Sequence, residues 1–214
     1  MPSSRRAFLA SLPALFALAA CSRGRKLAAI PAGATVLALG DSITFGTGAT
    51  PEGSYPSVLA RLSGWNVVNA GVPGDTSAGA LARLPDLLRE HSPRLVLLGI
   101  GGNDFLRRLP TSETRANIRA ICQQAASAGI QVVLIAIPEA SAVAAAIRSL
   151  GDHAMYEEIA TGLKVPLHAA GWSKVLSDPA LRSDAIHAND KGYEAFARGL
   201  AQRLRELGLL AATA

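Results

Sequence analysis

Four short pieces of the chain carry the residue types that nucleophilic chemistry uses. In the first, Gly40-Asp41-Ser42, the apolar run Val36-Leu37-Ala38-Leu39 stops abruptly. The second is Gly71-Val72-Pro73-Gly74-Asp75-Thr76-Ser77, the third Gly101-Gly102-Asn103-Asp104, and the fourth Asp184-Ala185-Ile186-His187. A serine hydroxyl is a poor nucleophile until a base takes its proton. Two residues between Asp184 and His187 let the carboxylate reach the ring within one turn. It then holds the Nδ1 proton and leaves Nε2 facing outward as a base. Each piece also has a plainer reading. Asp41 and Ser42 suit a helix cap, Gly71 a turn, and Asn103 a cap or turn. Asp184 and His187 suit a surface pair or two metal ligands, although no Cys, His or Glu cluster supplies a third ligand.

The elements that must bring these pieces together are legible as alternating strand and helix signals. An apolar run ending in turn chemistry reads as a strand buried on both faces. Val36–Leu39, Trp65–Ala70, Leu95–Ile100 and Ile130–Ile137 fit that description, and Val165–Ala169 is a weaker fifth. Between them, helical spacing appears at Val58/Leu59/Leu62, at Leu81/Leu84/Leu87/Leu88, at Ile118/Ile121/Cys122/Ala125 and over Tyr156–Leu163. Phe196, Leu200, Leu204 and Leu207 trace a last helix, while Pro138–Leu150 is ambiguous. Such alternation predicts an α/β domain with parallel strands, right-handed crossovers and helices on both faces. Ser42, Gly71 and Asn103 each follow a strand, and those loops open on one edge of a parallel sheet, where open α/β sheets place their ligands. Asp41, Asp75 and Asp104 are expected to tie down these loops through backbone N–H groups. His91, His153 and His168 match none of the four pieces and read as ordinary surface or core residues.

Taken in order, the four pieces resemble the blocks of the SGNH (GDSL-type) hydrolases, and the resemblance covers Ala34 to Leu209. The Gly-Gly-Asn-Asp block and the following Phe-Leu-Arg-Arg-Leu-Pro are most similar to the bacterial lysophospholipase/thioesterase/arylesterase branch. The first block departs from that branch, reading Gly-Asp-Ser-Ile-Thr rather than Gly-Asp-Ser-Leu. The resemblance implies a three-layer α/β/α, flavodoxin-like domain with a five-stranded sheet of order 2-1-3-4-5. It also implies roles: Ser42 as nucleophile, His187 as base and then acid, and Asp184 as the orienting carboxylate. The oxyanion hole it implies is made by the N–H groups of Ser42 and Gly71 and the amide of Asn103, with no cofactor and no metal. No Gly-x-Ser-x-Gly elbow occurs, which argues against the α/β-hydrolase fold.

Length and composition bound the rest. The 214 residues suit a single domain with a full core. The net charge of +5 is not gathered into a stripe with interleaved aromatics, which speaks against nucleic acid as a partner. Arg5 and Arg6 precede a short apolar run from Ala7 to Ala20, the pattern of a signal peptide of twin-arginine type. Leu18-Ala19-Ala20-Cys21 resembles a lipobox, which predicts lipidation of Cys21. The expected organisation is therefore a signal peptide over 1–20, a lipidated tether over 21–33 and a hydrolase domain over 34–214. Loss of the two arginines lowers the charge from +5 to +3. Arg23, Arg25 and Lys26 give the tether a basic character suited to anionic lipid heads. Cys122, within a helical pattern, reads as a small core residue.

The expected function is a membrane-tethered, exported bacterial serine esterase that needs no cofactor. Its substrate is a lysophospholipid, an aryl or alkyl ester, or an acyl thioester. Phe105, Leu106 and Leu109 beside the third block favour an acyl chain, and Arg107 and Arg108 offer charge to an anionic head group. Two other readings stand beside it. One is a carbohydrate O-deacetylase of the cell envelope, and the other a non-catalytic envelope lipoprotein.

Overall fold

The apolar runs become strands because both of their faces are covered. The computed structural model describes residues 27–139 and 150–211, and the expected signal peptide, Cys21 and most of Pro138–Leu150 lie outside them. Five parallel strands, β1 (Thr35–Gly40), β2 (Asn66–Gly71), β3 (Leu95–Gly99), β4 (Gln131–Ile135) and β5 (Leu167–His168), form one sheet in the order β2-β1-β3-β4-β5. This is the order and the α/β class that the sequence implied. Central β3 is buried throughout, whereas edge strand β2 is half open to solvent.

Among the described residues the helices are α1 (Ser42–Phe45), α2 (Tyr55–Ser63), α3 (Ser77–His91), α4 (Gly102–Leu106), α5 (Thr111–Ser127), α6 (Met155–Leu163), α7 (Gly171–Ser177) and α8 (Asp190–Glu206). Helices α2, α7 and α8 pack together on one face, and α3, α5 and α6 on the other. The α8 stripe buries Tyr193, Phe196, Leu200 and Leu204, while Leu207 falls just past the helix end. Cys122 is buried in α5 as expected. Helix α7 carries no periodicity that the sequence betrays, yet its Trp172 stacks on Phe196 at 3.6 Å and meets Tyr55 edge-on. That aromatic cluster locks α2, α7 and α8 into one layer.

The segment before β1 is fastened to the domain from Leu27 onward. Ala28 and the Gln131 side chain exchange two hydrogen bonds of 2.8 Å, and the N–H of buried Ile30 donates to the Leu209 carbonyl. Gln131 begins β4, so this attachment sits at the amino-terminal edge of the sheet.

Candidate active site

Three glycines stand side by side where β2, β1 and β3 end, with Gly40 paired to Gly71 on one flank and Gly99 on the other. The missing side chains of Gly40 and Gly71 make a shelf on which the short helix α1 rests, whereas a Cβ on Gly99 would meet only Ile135 at ordinary contact. A Cβ on Gly71 would collide with the backbone at Phe45 N and Thr44 C, and one on Gly40 with Thr44 and the Gly99 carbonyl. Asp41 starts the helix: its Oδ1 accepts the Ile43 N–H at 3.0 Å. Ser42 is therefore the first helical residue, held over the carboxyl edge of the sheet. Its own N–H has no acceptor among the described residues.

His187 reaches the serine from the loop that enters α8. Asn189 caps α8 through Gly192 N–H and donates to the carbonyls of Ala180 and Arg182, which closes the loop on itself. Asp190 accepts both the N–H and the hydroxyl of Thr50, and the Tyr193 hydroxyl donates to the Thr47 carbonyl at 2.8 Å. These bonds tie the start of α8 to the loop after α1, fixing His187 relative to Ser42 across 145 residues of sequence.

The result is a connected triad. His187 Nε2 lies 2.9 Å from Ser42 Oγ, and Nδ1 lies 2.7 Å from Asp184 Oδ2. With Nδ1–H donating to the carboxylate, Nε2 is left to accept the serine proton. Asp184 Oδ1 also accepts the N–H groups of Ile186 and His187, both at 2.8 Å. Burial pushes the Asp184 carboxyl up, but the ring and these two N–H groups outweigh it and hold the carboxyl below its ordinary value. It therefore stays ionised beside the ring.

Asp41, in contrast, is buried behind the nucleophile. Burial pushes its carboxyl from 3.8 up to about 7, against the pull of Ile43 N–H and of His187. The folded chain thus keeps a proton that the unfolded chain loses over that interval. Stability associated with Asp41 is present below pH 3.8 and falls as pH rises towards 7. Asp41→Asn keeps the acceptor for Ile43 and removes the charge. It is expected to stabilise the fold at pH 8 by on the order of 4 kcal/mol and to leave it unchanged near pH 3.5. Urea unfolding at the two pH values measures this, and equal gains at both would refute it.

The second and third blocks meet beside Ser42. Asp104 is buried and accepts both the N–H and the hydroxyl of Ser77, binding α4 to the start of α3. Asp75 accepts the Thr76 N–H and pairs with Arg83, whose Nη2 reaches the Gly40 carbonyl. All three aspartates tie down loops as expected. Asn103 donates one amide hydrogen to the Asp75 carbonyl at 2.9 Å, which fixes the side chain and leaves its second hydrogen free. Gly71 differs from expectation. Its N–H donates to Asn69 Oδ1 at 3.0 Å, so it is engaged within β2 and not offered to a ligand. Gly74, at φ 78° in the turn that Asn103 grips, has an N–H with no acceptor among the described residues.

An apolar cleft of about 370 Å³ opens beside the triad, lined by Ile43, Phe105, Ile137, Leu150, Leu176 and Ile186. Its wall is stiffened from behind. Phe105 stacks on His153 at 4.6 Å, and the Tyr156 hydroxyl donates to the Ile100 carbonyl. His153, read in the sequence as a surface or core residue, is half-buried and braces the wall through Phe105 without lining the cleft itself.

Comparison with known proteins places this arrangement. Residues 38–195 match the model of the GDSL-like lipase/acylhydrolase family. The chain belongs to that family. Thioesterase 1/protease 1/lysophospholipase L1 of Escherichia coli is 34% identical over 176 residues, covering 81% of this chain and 84% of the relative. Esterase TesA of Pseudomonas aeruginosa is 42% identical over 108 residues, 48% of this chain and 54% of the relative. A crystal structure of TesA superposes with a TM-score of 0.71 at 29% identity, covering 81% and 99% of the two chains. The chain is an ester-hydrolysing enzyme of the GDSL type, and its relatives favour neither the sugar deacetylase nor the non-catalytic reading.

Within the hydrolase, Ser42, His187, Asp184 and Asn103 are brought together as the sequence implied. Phe105 and Leu106 line the cleft, whereas Arg107, Arg108 and Leu109 do not. Arg107 donates instead to the Gly74 carbonyl at 2.7 Å, bracing the turn and not facing the cleft. Ile137, Leu150, Leu176 and Ile186 complete the cleft wall and went unread in the sequence, because four separate segments supply them.

Proposed function

We propose that the chain cleaves acyl esters and acyl thioesters through a Ser42 acyl-enzyme, with lysophospholipids among its substrates. The observation that carries this reading is a serine–histidine–aspartate chain of 2.9 and 2.7 Å beside a mostly apolar cleft of about 370 Å³. Ser42 Oγ attacks the carbonyl carbon as its proton passes to His187 Nε2. The oxyanion that forms is held by the N–H groups of Ser42 and Gly74 and by the free amide hydrogen of Asn103. Gly74 thus takes the place first expected of Gly71. His187 then protonates the leaving oxygen or sulfur, and water repeats the cycle on the acyl-enzyme with His187 as base. The names of the relatives, which include thioesterase, lysophospholipase and arylesterase, support the breadth of leaving groups.

A fluorophosphonate is expected to add its phosphorus to Ser42, seen by peptide mass mapping. Rates across p-nitrophenyl esters from acetyl to palmitoyl are expected to rise from acetyl to a medium chain. Labelling elsewhere, or a fastest rate on an acetylated sugar, would sink the proposal. We infer from the twin arginines and the Leu-Ala-Ala-Cys run that the enzyme is exported and anchored through lipidated Cys21. Cys21→Ser should then lose fatty-acid labelling, and a wild type that never labels would refute the anchor.

A further inference from the structure

The three donors of the proposed oxyanion site stand after three different strands: Ser42 after β1, Gly74 after β2 and Asn103 after β3. Such donors stabilise a developing charge only if their spacing is fixed before the charge appears. That spacing is a matter of tertiary bonds, and Arg83 on α3 makes two of them. Its Nη2 donates to the Gly40 carbonyl at 2.8 Å and its Nε to Asp75 Oδ2 at 2.9 Å. Gly40 lies two residues before Ser42, and Asp75 directly follows Gly74. The Asp75 carbonyl in turn accepts the Asn103 amide at 2.9 Å. One guanidinium therefore joins the nucleophile's strand to the residue that borders one of the other donors and holds the second.

We propose that Arg83 is a positioning residue of the hydrolase, whose guanidinium fork sets the distance between Ser42 and the Gly74 and Asn103 donors. Among the described side chains, Arg83 is the one bonded to both the turn after β2 and to β1. Val72 N–H donates to the same Gly40 carbonyl at 3.1 Å, so the backbone holds the start of the turn and Arg83 its far end. Arg107 braces the turn too, but from α4, and it does not reach β1. The clamp is built into the fold. A Cβ on Gly79 would collide with Asp75 Oδ1, so the first turn of α3 is cut away where the carboxylate sits. The paired side chains are only 24% and 11% exposed, which limits the screening that makes surface ion pairs weak. A planar fork offers donors at a fixed angle to two acceptors at once, which a lysine ammonium does not. The proposal rests on the Ser42 acyl-enzyme reading and adds to it what keeps the oxyanion donors in register.

The test compares Arg83→Gln, Arg83→Lys and Arg83→Ala with wild type in the full chain, on p-nitrophenyl butyrate. Circular dichroism gives the folded fraction, and kcat is taken per folded molecule. Arg83→Gln is expected to lower kcat roughly 10²-fold and to leave KM within about twofold, because displaced donors are missed in the transition state. Arg83→Lys keeps the charge without the fork and should still lose roughly tenfold. Millimolar guanidinium chloride should restore part of the Arg83→Ala rate, and sodium chloride none of it. In an Asn103→Ala background, Arg83→Gln should cost several-fold less than in wild type, since one donor that the clamp places is already gone. Wild-type kcat in Arg83→Gln or Arg83→Lys would overturn the clamp. So would losses that multiply fully with Asn103→Ala, the mark of a merely structural role. If Arg83→Gln fails to fold, Arg83→Lys and the guanidinium rescue decide the matter. A wild type that takes no fluorophosphonate at Ser42 would refute the acyl-enzyme reading and the clamp together. A labelled wild type with indifferent Arg83 variants would refute the clamp alone.

Discussion

Ser42→Ala and His187→Ala each lower kcat on any accepted ester by roughly 10⁵–10⁶, and the double variant is no worse than either single one. The geometry dictates the equality. With Nε2 at 2.9 Å from Oγ, the ring has one task in the first step, to take the serine proton, and either deletion removes the same event. Asp184→Ala is expected to cost less, roughly 10⁴, because Asp184 orients the ring and does not touch substrate. Its two backbone bonds, to Ile186 and His187, also shape the loop, so some of its loss is a loss of position. Asn103→Ala leaves the triad whole and removes one oxyanion donor, for a loss of roughly 10²–10³. Single-turnover kinetics with a p-nitrophenyl ester separates these effects, with circular dichroism to confirm folding. Additive losses in the double variant would mean that Ser42 and His187 do not act as one unit.

Gly71→Ala is expected to damage both stability and catalysis, although the glycine's N–H is already engaged. The new methyl would meet backbone atoms of Thr44 and Phe45, which cannot rotate away as a side-chain end does. Helix α1 must lift from its shelf, and Ser42 leaves the reach of His187. A cost of about 3 kcal/mol in unfolding free energy is expected. A displacement near 1 Å at the nucleophile is expected to remove roughly 10² of kcat. Gly199→Ala is the matched control. Position 199 lies on the exposed side of α8 with nothing within 4 Å of a new Cβ, so it should stabilise by about 1 kcal/mol with activity unchanged. If Gly71→Ala behaves like Gly199→Ala, the shelf is not what holds the serine.

The reach of the sequence follows the kind of signal each feature leaves. β1 and β3 were legible because strands covered on both faces must be apolar throughout, and Val36–Leu39 and Leu95–Ile100 are. The triad was legible because its members sit directly after strands or three residues apart. Two glycines close together in the second block were not separable from their letters. What distinguishes Gly71 from Gly74 is pairing with Gly40 and capture by Asn69, facts of register and rotamer. Helix α7 escaped because seven residues are too few for periodicity to emerge, and its Trp172 is explained by α2 and α8 and by nothing nearby in the chain. Arg107 was read as available charge because no sequence signal marks a carbonyl 33 residues away as its partner.

A parallel sheet gives the molecule two poles, and the leading segment is pinned to the one away from Ser42. The Ala28–Gln131 clasp and the Ile30–Leu209 bond hold that pole shut. Between Cys21 and the first fastened residues only a handful of residues remain, spanning roughly 20 Å at full stretch. That is about the length of one six-residue strand. Were Cys21 lipidated as proposed, a leash so short, attached at the rear, would carry the domain with its mouth turned from the surface that holds it. An enzyme moored in this way would act on what lies opposite, whether a facing membrane or lipid adrift in the space between. Feeding on its own leaflet would first require the clasp at Ala28 to open.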